Sequence, residues 1–114
     1  MVIPTAGTVI LVPFPFSNLS QVKLRPAAVL AEVGRGDWIL CQITSNPYGD
    51  VRAIELMDTD FAMGSLRTTS YARPGKLFTA NRNLMTARVG VLKADAFRQV
   101  IGAVIAMLHA SIPN

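Results

Sequence analysis

Leu24-Arg25-Pro26-Ala27-Ala28-Val29-Leu30-Ala31 is the stretch on which the reading of this chain turns. One cation stands before a run, Pro26 to Ala31, that holds no polar side chain. A strand of that composition is buried on both faces, because a strand at a surface would alternate polar and apolar residues. Proline cannot donate to a sheet ladder, so Pro26 is expected at the first residue of the strand or on an edge. Arg25 then falls where a loop enters the sheet, on rigid backbone and open to solvent. A guanidinium fixed there can hold a carboxylate or a phosphate through two parallel hydrogen bonds. The plain alternative is an arginine that starts a strand and pairs with a neighbouring acid.

Around this stretch lie 114 residues, enough for a real hydrophobic core without disulfides or metal and short enough to be one domain, residues 1–114. Half of the residues are apolar and 16% are charged, which excludes a disordered chain. Cys41 is the single cysteine and lies in an apolar run, so it reads as a buried, inert thiol in a reducing compartment. No basic segment precedes the first apolar residues as it would in a signal peptide, and the apolar run 100–108 is about half of what a bilayer requires. A cytoplasmic protein without a membrane partner is the expectation.

The net charge of +4 is modest, but its placement is informative. No acid occurs between Asp60 and Asp95, an interval that holds Arg67, Arg73, Lys76, Arg82, Arg88 and Lys93. Arginine outnumbers lysine eight to three in the chain, and arginine suits phosphate recognition. A one-signed interval of this kind points to a polyanionic partner, either nucleic acid or an acidic peptide. Scattered solvated charges are the simpler account, but ordinary surfaces interleave the two signs.

Residues 7–12 are apolar and β-branched and predict a first strand, which Pro13-Phe14-Pro15-Phe16 is expected to end. Residues 17–23 read as a long polar loop leading to the second strand, 26–32. Gly34-Arg35-Gly36-Asp37 is a turn, and 38–44 is a third strand in hairpin with the second. A turn-rich loop over 45–50 precedes a fourth strand at 52–56, and 58–65 reads as irregular or one helical turn. Strands 66–72 and 76–80 are expected on either side of Arg73-Pro74-Gly75, with a last one at 89–92. Phe97, Val100, Ile101, Val104, Ile105 and Leu108 then recur at helical spacing, with Asp95 in the first turn where the helix dipole favours it. The opposite helix face, Gly102, Ala103 and Ala106, is small and apolar, which predicts burial on most sides and a two-fold homodimer. The fold class is mainly β with α (α+β): a small, strongly bent antiparallel barrel with a C-terminal helix over one opening or face.

Several chemistries are excluded. No glycine-rich loop is followed by lysine and a hydroxyl. One cysteine and one histidine cannot build a usual zinc site, and His109 sits at a helix end without a serine elbow. Arginine, hydroxyls and amides near strand ends remain. Arg25 enters the second strand, and Thr44 and Ser45 leave the third, followed by Asn46. In a hairpin, the start of one strand lies beside the end of the next, so Arg25 and Thr44 are expected to be neighbours. A guanidinium beside a hydroxyl can cradle a phosphodiester, whereas Thr44-Ser45-Asn46 alone is equally an ordinary turn-forming run.

The run Gly7-Thr8-Val9-Ile10-Leu11-Val12-Pro13-Phe14-Pro15-Phe16, followed by Leu24-Arg25-Pro26-Ala27, resembles the opening of the MazF/PemK-like toxins. Ile39-Leu40-Cys41-Gln42-Ile43-Thr44-Ser45 and Ser70-Tyr71-Ala72-Arg73-Pro74-Gly75-Lys76-Leu77-Phe78-Thr79 resemble later blocks of that family, in order and over nearly the whole chain. The resemblance implies an SH3-like barrel with a C-terminal helix, a homodimer, and metal-independent cleavage of single-stranded RNA (mRNA) without a cofactor. It also implies a small acidic antitoxin whose tail occupies the RNA groove. Arg25 and Thr44 match the two principal catalytic positions of the family, and Thr79 a threonine of its last block. The sequence departs from the pattern at Thr8, where an acid is common, at Phe78, where some members have arginine, and at Asn81, where an acid is frequent. Lys23, Ser45, Asn46, Arg73, Lys76, Thr79 and Asn81 are the supporting or RNA-binding candidates.

The mechanism that follows is attack by the 2′-hydroxyl of RNA on the adjacent phosphate. Arg25 stabilises the phosphorane charge and Thr44 fixes the linkage for in-line attack. A guanidinium keeps its proton up to about pH 12, which disfavours Arg25 as the base, and the base stays unassigned. Loops 17–23 and 45–51 are expected to set base preference, through amides such as Asn18, Gln21 and Asn46 or stacking by Phe16 or Tyr48. For both rings, packing within the loop is the favoured account. The alternative function is a non-catalytic SH3-like binding module, or a topoisomerase-binding toxin of the same fold, in which the basic interval outweighs Arg25.

Overall fold

The computed structural model describes residues 2–15 and 22–114. The chain runs through β1 (Thr8–Pro15), β2 (Val22–Gly34), β3 (Asp37–Thr44), β4 (Ile54–Leu56), β5 (Phe61–Gly64), β6 (Ser70–Asn81), β7 (Ala87–Leu92) and α1 (Ala94–His109). Among the described residues, seven strands join one antiparallel sheet in the order β4-β6-β3-β2-β1-β7-β5, curled into a half-barrel beside helix α1. The expected class, mainly β with a C-terminal helix, is the observed one.

The hairpin of β2 and β3 turns through Gly34, Arg35 and Gly36, all at positive φ. The central strands are β-branched and aliphatic, and the pleat divides their side chains between two faces. Val9, Ala28, Leu30, Cys41 and Ile43 face the side that carries α1 and pack with Ala96 and Val100 of the helix. Ile10, Val12, Ala27, Val29 and Leu40 face the other side and pack with Ala80 and Met85. Val29 and Leu40 are fully buried, and each such side chain contributes about 1.5–3 kcal/mol. Of the apolar run after Arg25, Ala27 to Leu30 are buried on both faces, as their composition requires, while Pro26 is half-buried and Ala31 exposed.

Five expectations are corrected. The prolines do not end β1, which stays paired with β2 through Pro13↔Leu24 and Pro15↔Val22. The Leu11 carbonyl accepts from the Thr86 N–H on the β7 side, and two-residue alternation turns Pro13 and Pro15 to that same side. Pairing with β7 stops at Leu11, so neither proline removes a donor the ladder needs. Secondly, β2 starts at Val22, which places Arg25 within the strand opposite Val12, half-buried, rather than in the entering loop. Of the loop expected over 17–23, residues 17–21 lie outside the described residues, as does Phe16.

Thirdly, Arg73-Pro74-Gly75 is not a turn between strands but part of the continuous β6. Between the pairs Ile43↔Ala72 and Cys41↔Leu77, residues 73–76 face Gln42 alone. A bulge absorbs the extra residues, and the proline and glycine serve it instead of reversing the chain. Fourthly, 58–65 contains a 3-10 turn, Asp58–Asp60, and then an edge strand, β5, paired with β7. Finally, α1 is not buried on most sides: Ala96 and Val100 dock on the sheet, while Ile105 and Leu108 are 58% and 59% exposed.

Candidate active site

The β2–β3 register reaches Ala27↔Gln42, and continued by two residues on each strand it sets Arg25 opposite Thr44. Both line one cavity of about 790 Å³, on the face of the sheet away from α1. Pleat parity explains why. Arg25 continues the row of Ala27 and Val29, Gln42 and Thr44 continue the row of Leu40, and Phe14 continues the row of Ile10 and Val12. On β2 and β3 the rows that build the core on this face therefore end in polar groups at the cavity, and on β1 the row ends in an aromatic ring.

The cavity lining combines apolar and polar groups. Phe14 and Phe78 meet edge to face, with ring centroids 4.6 Å apart, and Val12, Pro13, Ala80 and Leu84 are apolar lining beside them. Arg25, Gln42, Thr44, Arg73, Lys76 and Tyr48 are the polar part of the lining. Three of the lining side chains are cations and none is an acid, among the described residues. The loop after β3 is cross-tied. Thr44 Oγ1 accepts the Asn46 N–H at 3.2 Å, Asn46 Oδ1 accepts the Tyr48 N–H at 2.9 Å, and Asp50 Oδ1 accepts the Arg52 N–H at 2.9 Å. Asp50 Oδ2 also takes the Nε–H of Arg73 at 3.0 Å, binding the loop to β6. The Arg52 N–H above all, and then the Arg73 side chain, hold the Asp50 carboxyl below its ordinary range.

Of the candidates named from sequence, Arg25, Thr44, Arg73, Lys76 and Thr79 line the cavity. Lys23 lies two residues before Arg25 on the same face of β2 but outside the described lining, and Ser45 is exposed in the loop. Asn46 acts through its hydrogen bonds to Thr44 and Tyr48. Asn81 faces elsewhere: its Nδ2 donates to Asp37 Oδ1 at 3.0 Å and to the Arg35 carbonyl at 3.3 Å, and its Oδ1 accepts from the Asn83 N–H. It ties β6 to the β2–β3 turn. Thr8 is fully buried, its hydroxyl 2.7 Å from that of Thr5. Phe78 is half of the aromatic pair with Phe14. Of the six cations in the acid-free interval, only Arg73 and Lys76 are in the described lining, so the one-signed run does not form one patch at the site.

Gln42 was not singled out by sequence, although its two-residue offset from Thr44 on β3 is a readable signal. Asp50 was missed because its partner, Arg73, is distant in sequence. Cys41 points to the α1 side, its Sγ donating to the Arg73 carbonyl at 3.2 Å. Burial pushes its thiol up to about 12 against the opposing pull of that hydrogen bond, so it is no nucleophile near neutral pH.

No family model and no curated protein matches the sequence significantly. Solved structures do match. A MazE–MazF complex from Deinococcus radiodurans contains a chain 20% identical, with a TM-score of 0.76, covering 97% of this chain and 100% of that one. An endoribonuclease in complex with its cognate antitoxin, from a mycobacterial species, is 13% identical with a TM-score of 0.74 over 97% of this chain and 100% of that one. The Mycobacterium tuberculosis toxin MazF-mt6 is 15% identical with a TM-score of 0.69, over 90% of this chain and 96% of that one. This chain has the MazF fold. The resemblance read from the opening, middle and late blocks of the sequence is matched by the backbone over nearly its whole length.

Proposed function

We propose that the chain, as a single MazF/PemK-like toxin domain over residues 1–114, is a sequence-selective, metal-independent endoribonuclease toxin. Its substrate is single-stranded RNA and its natural inhibitor a small acidic antitoxin. The observation that carries this reading is the cavity itself: Arg25 opposite Thr44, with Lys76 and the Asp50-paired Arg73 in the same lining and no acid among the described lining residues. Such a groove attracts a phosphodiester and would repel neither it nor an acidic peptide.

The bond from the 2′-oxygen to phosphorus forms as the bond from phosphorus to the 5′-oxygen breaks. The 2′-hydroxyl loses its proton and the departing 5′-oxygen gains one, giving a 2′,3′-cyclic phosphate and a 5′-hydroxyl. Arg25 faces the non-bridging oxygens as charge builds on them, and rigid β2 backbone spares it reorganisation at that moment. Thr44, whose oxygen already accepts from Asn46, directs its O–H to the phosphate and aligns the linkage. Gln42, two residues before Thr44 on β3 and opposite Ala27, lines the same cavity as a further donor. Two copies related by a two-fold axis form the working unit.

The test is cleavage of single-stranded RNA by purified protein, with and without excess chelator. The wild-type chain is expected to produce defined fragments ending in cyclic phosphate in both conditions. Arg25→Ala is expected to lower the rate by at least about 100-fold, as for loss of an oxyanion donor, with an unchanged circular dichroism spectrum. Cleavage by Arg25→Ala at the wild-type rate would overturn the assignment.

A further inference from the structure

Tyr48 stands at the cavity rim with its side chain 70% exposed, so it is not packed into its own loop as the sequence suggested. Its backbone is in the left-handed region, at φ 53°. A bulky residue rarely occupies that region, and such strain persists only where the surroundings impose it. Here they do. Asn46 Oδ1 holds the Tyr48 N–H, the Asp50 N–H closes the turn on the Pro47 carbonyl at 2.9 Å, and Asp50 ties the loop to Arg73. The Arg73 guanidinium carbon lies 5.7 Å from the centre of the Tyr48 ring, within reach of a cation–π contact. Arg73 is only 19% exposed, so one side of the ring rests on a nearly buried, salt-bridged base while most of the ring faces solvent.

We infer that the Tyr48 ring is a stacking platform for one unpaired nucleobase of the strand whose phosphate lies at Arg25. The inference rests on the RNA-cleaving reading and adds to it the group that receives a base. A base has two large π-faces and stacks on an aromatic ring irrespective of its hydrogen-bonding edge. The backbone that carries the ring is already held, so stacking spares the cost of ordering the loop. Asp50 is a positioning residue: it neutralises Arg73 and keeps the guanidinium beneath the ring instead of leaving it to reach for phosphate. Phe14 and Phe78 do not offer the same surface, because both rings are half-buried and pack on each other.

The test uses 2′-O-methyl oligonucleotides, which lack the attacking hydroxyl and stay intact. Homopolymers of A, C and U are compared with an abasic oligomer of the same length. Tyr48→Gly is the informative variant, since glycine adopts the positive φ freely and keeps the loop unstrained. It is expected to weaken binding of the base-bearing oligomers on the order of 5- to 150-fold, and that of the abasic oligomer less than about twofold. Tyr48→Phe is expected to bind all of them within about twofold of wild type. Equal loss for base-bearing and abasic oligomers, or loss in Tyr48→Phe equal to that in Tyr48→Gly, would overturn the platform. A wild-type chain that binds none of the oligomers overturns both readings. Base-dependent binding through Tyr48 without cleavage of unmodified RNA overturns the ribonuclease reading and leaves the platform standing.

Discussion

Thr44 does two things with one hydroxyl. Its oxygen accepts the Asn46 N–H and so starts the loop that carries Tyr48, while in the proposed mechanism its O–H donates to the RNA phosphate. Thr44→Val keeps the shape and β-branching but removes both bonds. It is expected to lower cleavage by about 100- to 1,000-fold, and Thr44→Ser to stay within about tenfold, measured as kcat on a defined oligonucleotide. Asp50 sets a pH limit on the same loop. Its folded pKa lies below its ordinary 3.8, so the ionised form is favoured by folding. The contribution is complete above the unfolded value and is lost as pH falls through the lower folded one. The carboxyl carbon of Asp50 is therefore expected to keep one chemical shift from neutral pH down past that ordinary value. A midpoint at or above it would mean that the tie to Arg52 and Arg73 is absent in solution.

At the scale of elements, the sheet ends in the edge strand β5, which pairs with β7 where Gly64 opposes Gly90. A side chain has no room at either position. A Cβ on Gly64 would collide with the Val89 carbonyl, and one on Gly90 would lie 2.7 Å from the Phe61 ring and 2.8 Å from the Met63 carbonyl. Gly90→Ala is expected to destabilise the protein by about 1–3 kcal/mol, read from the urea midpoint, because backbone and a core ring must both shift. An unchanged midpoint would show that β5 does not hold its place on β7. The bulge in β6 has a comparable role for the site. By admitting residues 73–76 opposite Gln42 alone, it carries Arg73 and Lys76 to the cavity on a strand that is otherwise regularly paired.

At the scale of the molecule, the two faces of the half-barrel divide the work. One packs against α1 and the other ends in the cationic cavity. Gly102 and Ala106 are exposed on α1, as are Ile105, Leu108 and, just beyond the helix, Ile112. This apolar strip fits a second copy of the chain better than water. Sedimentation at micromolar concentration is expected to give a dimer, and Ile105→Glu with Leu108→Glu a folded monomer. A monomeric wild-type chain would remove the two-fold assembly. No helix among the described residues is long and apolar enough to cross a membrane.

The sequence by itself determined what local chemistry controls: the helix from its periodicity, the β2–β3 hairpin from its glycine turn, and the neighbourhood of Arg25 and Thr44 from the register such a hairpin must have. The resemblance of its blocks also anticipated the backbone that the solved structures share. Tertiary structure alone decided what depends on the neighbouring strand. Pro13 and Pro15 continue β1 because β7 has already ended on their side. Arg73-Pro74-Gly75 is a bulge because β3 stays paired on both sides of it. Asn81 leaves the cavity because the turn at Arg35 offers it partners, and Tyr48 is an exposed ring because Asn46 and Asp50 hold its loop. Arg25, first read as a residue at the mouth of a loop, is a strand residue of the cavity wall. Local propensity cannot encode such outcomes, since each is set by which backbone groups a distant segment leaves unpaired.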